Sequence, residues 1–158
     1  MTLRNSKGFT LVEILVAVLV IGSGNMLAAR MQLMAIQNTQ GGYLRAQSAN
    51  LSYEIIDRMR TNIVALSNGN YDIQAADATP AEVDCGGSSA NCTPSQMAQY
   101  DQYWWRETIG RALPSGTGAI ATTDSGGFTT VTVNMTWVDP YSAAAGSEQI
   151  TITAELPQ

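Results

Sequence analysis

Residues 9–29, FTLVEILVAVLVIGSGNMLAA, form one apolar run of 21 residues broken by a single charge, Glu13. As a helix rising about 1.5 Å per residue, the run spans about 30 Å, the depth of a bilayer's hydrocarbon core. A short basic leader, MTLRNSKG, precedes it and carries Arg4 and Lys7. Basic residues just ahead of an apolar segment hold that end in the cytoplasm, so the chain beyond Ala29 is expected to face outward. Three readings fit these facts: a secretory signal peptide cut after Ala29, a plain single-span anchor, or an anchor whose lone carboxylate has a task. A carboxylate in such a segment costs about 2.5–3.5 kcal/mol on insertion scales, which makes Glu13 a functional residue by default. The run itself offers no cation to offset that cost. A cut between Gly8 and Phe9 would create an α-ammonium at Phe9, able to neutralise Glu13 in its own chain or in a neighbour.

The hexapeptide Gly8-Phe9-Thr10-Leu11-Val12-Glu13, set between a basic leader and an apolar run, resembles the class III signal of type IV prepilins and pseudopilins. The resemblance implies a prepilin peptidase that cleaves after Gly8 and N-methylates Phe9. It also implies that Glu13, at the fifth mature position, guides docking into a growing filament. The fold implied is α+β and type IV pilin-like. It has a long amino-terminal helix, transmembrane in its first half, packed on a small antiparallel β-sheet with a second short helix. The chain then divides into a cleaved leader (1–8), a transmembrane and filament-core helix (9–29), a continuing amphipathic helix (30–66) and a periplasmic α+β head (67–158).

The residues beyond the span support that division on their own. Leu44, Leu51, Ile55, Met59, Ile63 and Leu66 recur at helical spacing and mark one apolar face of a single helix running to about residue 66. Gly41-Gly42 is its weakest point. Thr93-Pro94 reads as an N-cap followed by proline at the first position of a second helix. That helix carries Met97, Tyr100, Trp104, Trp105, Ile109 and Leu113 and ends at Pro114. An aromatic stripe on a helix is expected in the core, with an exposed partner contact as the alternative for Trp104 and Trp105. Toward the carboxyl end, Val131, Val133, Met135 and Trp137 alternate with polar residues, as do Ile150, Ile152, Ala154 and Leu156. This pattern predicts an antiparallel hairpin with one apolar face, to which 118–123 adds a third strand.

Cys85 and Cys92 enclose six residues that include Gly-Gly and Ser-Ser, and they suit a small disulfide-closed loop. Export into an oxidising periplasm favours the bridge, and the spacing fits a metal or redox thiol pair poorly. The run Asp57-Arg58-Met59-Arg60-Thr61-Asn62 reads by itself as a solvated charged face. It also resembles a feature of PilV-type minor pilins, the type IV pilus modification proteins.

Composition narrows the function classes. The chain has 158 residues, of which only 13% are charged, and a net charge of −5. An acidic balance disfavours nucleic acid. The absence of histidine removes Ser-His-Asp and Cys-His sites along with every His-ligated metal site. No nucleophile–base constellation can be assembled, Asp101 and Glu107 do not share a helical face, and neither an enzyme nor a metal or other cofactor is expected.

The function implied by the resemblance is that of a minor pilin in type IV pilus biogenesis, in a priming or tip complex serving twitching motility or adhesion. Its implied partners are other minor pilins and the major pilin, the prepilin peptidase, the inner-membrane assembly platform, and the membrane itself through residues 9–29. Its implied location is the inner membrane with a periplasmic head before assembly and the surface pilus afterwards. The alternatives are a minor pseudopilin of a type II secretion system and, from another class, an exported adhesin or binding module.

Overall fold

The computed structural model describes residue 8 and residues 10–87, 91–141 and 146–157. The elements run α1 (Leu11–Thr61), α2 (Ile63–Ser67), α3 (Pro94–Ala112), β1 (Thr117–Ser125), β2 (Phe128–Val138) and β3 (Ser147–Pro157). This is an α+β fold: a long amino-terminal helix, short helices and a three-stranded antiparallel sheet. The chain divides into two compact units, Met1–Thr39 and Gln40–Gln158.

In the first unit, α1 has no buried residue over 11–39, and its large apolar side chains through Ile36 are 55–80% exposed. A helix apolar on every side has no amphipathic face to set against a sheet; such a surface belongs in a membrane or among other helices. Its hydroxyls are satisfied internally. Ser23 Oγ donates to the Val20 carbonyl at 2.9 Å and Thr39 Oγ1 to the Ala35 carbonyl at 2.8 Å. That self-sufficiency is what a lipid-facing helix requires.

In the second unit the helix becomes amphipathic. Leu44, Leu51, Ile55, Ile56 and Met59 are buried, as the spacing predicts, together with Ser48 and Ser52. The helix passes through Gly41-Gly42 uninterrupted and stops at Thr61 rather than continuing to 66. Asn62 leaves the helical region (φ −125°, ψ 56°), because its Nδ2 donates to the Pro94 carbonyl at 2.8 Å and to the Tyr71 hydroxyl at 3.1 Å. The short α2 that follows is rotated with respect to the stripe, so Ile63 is exposed while Ala65 and Leu66 are buried.

The sheet is a meander in the order β1-β2-β3. Gly126 and Gly127, both at positive φ (59° and 103°), form the two-residue turn between Ser125 and Phe128. Only residues free of a Cβ clash adopt that pair of angles readily. Val131, Val133, Met135 and Trp137 of β2 are buried, and Ile120 and Leu156 extend the core into the flanking strands. α3 begins with a full capping box between Thr93 and Gln96 and sets Ala98, Trp105 and Ile109 into the same core.

Candidate functional site: the amino-terminal helix and the head that follows it

Thr10 opens α1. Its carbonyl accepts the N–H groups of Glu13 and Ile14 at 3.1 and 3.3 Å, and its Oγ1 lies 3.4 Å from the Glu13 nitrogen. Glu13 therefore sits in the first helical turn, where an anion interacts favourably with the helix dipole. Its side chain is exposed and makes no ion pair among the described residues. Between residues 10 and 39 the only basic side chain is Arg30, 17 positions away, or about 25 Å along a helix. The described residues of this unit thus leave Glu13 without a counter-charge. Arg4, Lys7 and Phe9, which the sequence links to Glu13, lie outside the described residues; Gly8 lies within them and is exposed.

In the head, Cys85 and Cys92 are joined in a disulfide. In the loop-entropy picture a ring this small stabilises by about 2.5 kcal/mol. Trp105 is core, with its Nε1 donating to the Leu51 carbonyl at 3.0 Å. Trp104 is half-buried, edge-on to Tyr100 and Tyr103, and with Glu82, Asp84 and Tyr100 it lines a recess of about 350 Å³. The two tryptophans therefore divide between core and surface.

The charged run 57–62 is not uniformly solvated, which corrects the sequence expectation. Asp57 and Arg60 do face water and pair with each other at 2.9 Å. Arg58 and Asn62 turn inward. Arg58 Nη1 donates to Asp101 Oδ1 at 3.1 Å, and the Tyr71 hydroxyl donates to Asp101 Oδ2 at 2.7 Å. Asp101 is thus a buried carboxylate serving two donors and has no link to Glu107, which pairs with Arg111. Burial first, then the hydrogen bond to Asp101 and after it the Asp101 charge, push the Tyr71 phenol well above its ordinary pKa. For Arg58, burial works against the charge, but the hydrogen bonds it donates to Glu54 and Asp101 outweigh it and raise the pKa. Asn62 falls on the apolar stripe, three residues after Met59, which is a local sign that it faces inward; nothing local marks Tyr71 or Asp101 as its neighbours.

Residues 3–24 match the family model described as the prokaryotic N-terminal methylation motif, and residues 30–103 match that of type IV pilin Tt1218. No curated protein and no solved structure gives a significant match. The two family matches support a type IV pilin family and a pilin subunit that works in pilus or pseudopilus assembly. They fit anchoring through the apolar helix and processing by a prepilin peptidase. That family is structural rather than enzymatic.

Proposed function

We propose that this chain, a pilin-type subunit, is a minor pilin of the PilV kind that takes part in type IV pilus biogenesis alongside other minor pilins and the major pilin. The observation that carries the reading is Glu13. It stands in the first turn of a helix apolar on all sides, five residues after the Gly8 of a methylation motif, with no counter-charge among the described residues of its unit. Cleavage after Gly8 and N-methylation of Phe9 would place a cationic amine at the mature terminus. In the inner membrane, residues 9–29 hold the subunit with its head in the periplasm. On extraction into the filament, lipid contacts are exchanged for neighbouring helices. Glu13 is neutralised there by the Phe9 amine of an adjacent subunit, which offsets the cost of a carboxylate in an apolar environment.

Charge and not side-chain bulk is then the requirement at position 13. In the native bacterium, Glu13→Ala is expected to reduce surface pili to the level of a deletion strain, and Glu13→Asp to retain them. Normal piliation with the alanine variant would refute the pairing. A deletion that spared pili and twitching but blocked enzyme export would move the chain to a secretion pseudopilus.

A further inference from the structure

The two edges of the sheet are built differently. On β1, Ile120 exchanges both backbone hydrogen bonds with Ile73, at 2.9 and 3.0 Å, so its N–H and C=O face away from β2. Antiparallel alternation turns the backbone of Gly118 and Thr122 outward as well. Both are met. Arg106 Nη2 donates to the Gly118 carbonyl at 2.9 Å, and the Thr122 N–H donates to Asp72 Oδ1 at 2.8 Å. Arg106 also donates to the carbonyls of Gln74 and Asp77, which ties the covering segment to the helix. The β1 edge is thus engaged from outside the sheet at three successive outward positions, Gly118, Ile120 and Thr122.

The register carries the same parity across the sheet. Ile120 stands opposite Val133, and Val133 opposite Ile152. Since Ile120 faces out, Val133 bonds to β3 and Ile152 bonds back to it. The outward backbone groups of β3 are therefore those of Gln149, Thr151, Thr153 and Glu155. Among the described residues, no hydrogen bond reaches their backbone from outside the sheet.

Open edges are ordinarily guarded by lysine, proline or a bulge. β3 has eleven residues, pairs with β2 residue for residue, contains no lysine and has proline only at its last position, Pro157. Its core-facing Ile150, Ile152 and Ala154 are half-buried, whereas Val131, Val133 and Met135 of β2 are fully buried. Apolar surface is thus left at the edge. Charge specifies what would cover it. Residues 117–157 contain Asp124, Asp139, Glu148 and Glu155 and no Lys or Arg. Glu148 is held by Arg45 at 2.9 Å, while Glu155 is exposed and has no ion pair among the described residues.

We propose that β3 is an acceptor edge for a strand from another protein, an extended segment with apolar residues at alternate positions and a Lys or Arg opposite Glu155. Main-chain bonds supply the affinity of such strand addition, and the side chains select the partner. A second copy of the chain is a poor occupant: its β1 edge is engaged at those positions, and β3 set against β3 doubles an acidic edge. The inference extends the assembly role to a specific surface and does not depend on amino-terminal processing.

The test is residue-resolved amide exchange on the full chain in detergent micelles. The probes are a peptide of alternating Val and Thr flanked by Lys, and its counterpart flanked by Glu. The Lys peptide is expected to slow exchange at Gln149, Thr151, Thr153 and Glu155 by about tenfold or more and leave β1 unchanged; the Glu peptide should do neither. Thr153→Pro removes an outward N–H that takes no part in the ladder, so it should abolish the protection with an unchanged circular dichroism spectrum. Glu155→Lys should shift the preference toward the Glu peptide. Equal action of the two peptides, protection at β1 as well, or no protection at the four amides would overturn the proposal. So would slowing that grows with protein concentration alone, which would assign the edge to a second copy.

Discussion

Asp101 is a buried carboxylate with two donors, both far from it in the chain. Tyr71 reaches it across 30 positions and Arg58 across 43. Replacing Tyr71 by Phe leaves one carboxylate oxygen without its buried donor and is expected to destabilise the full chain in detergent by about 1–3 kcal/mol. The same phenol makes a pH signature. Its folded pKa lies above the ordinary 10.0, so above pH 10 the folded chain holds a proton that the unfolded chain releases. That contribution to stability is intact below pH 10 and declines as pH rises beyond it. Denaturant titrations from pH 9 to 11 should show a steeper fall for the native chain than for Tyr71→Phe. Parallel curves would contradict the assignment. At this scale, legibility followed sequence distance. Glu13 and the two cysteines declare themselves through immediate neighbours, whereas the Arg58–Asp101–Tyr71 cluster requires the fold to exist before its members meet.

Elements were easier to read than residues because their signals are periodic or local. The stripe from Leu44 to Met59 and the alternation in β2 and β3 repeat along their elements, and the Thr93-Pro94 start of α3 is a local cap. The end of α1 was misplaced because tertiary hydrogen bonds at Asn62 override a helical pattern that continues to Leu66. The Gly126-Gly127 turn carried a readable hairpin signal, two glycines between alternating runs. Close packing of elements was not readable. A Cβ at Gly118 would lie 2.5 Å from Trp105 Cη2 and 2.9 Å from Ile109 Cδ1, so this glycine is what lets α3 rest directly on β1. Gly118→Ala is accordingly expected to destabilise by about 1–3 kcal/mol. Gly110, on the same helix, has nothing within 4 Å of its Cβ position. Gly110→Ala should instead stabilise by about 0.5–1 kcal/mol through helix propensity. Chemical denaturation of both variants checks the pair, and equal effects would mean that α3 does not contact the strand as described.

For the molecule as a whole, the sequence is two chemistries in one chain. Residues 9–29 carry one charge, and the remainder from residue 30 carries 6 arginines against 12 acids. Cleavage after Gly8 would remove Arg4 and Lys7, taking the side-chain balance from −5 to −7 (6 basic against 13 acidic). It would also supply the amine that the apolar helix lacks. The proposed pairing of Glu13 therefore depends on cleavage of one bond. Intact mass and amino-terminal peptide sequencing of the chain extracted from native membranes test it most directly. The mature chain is expected to begin at Phe9 and to carry one added methyl group on its terminal nitrogen. A mature chain that retained Met1, or that began at Arg30, would contradict it.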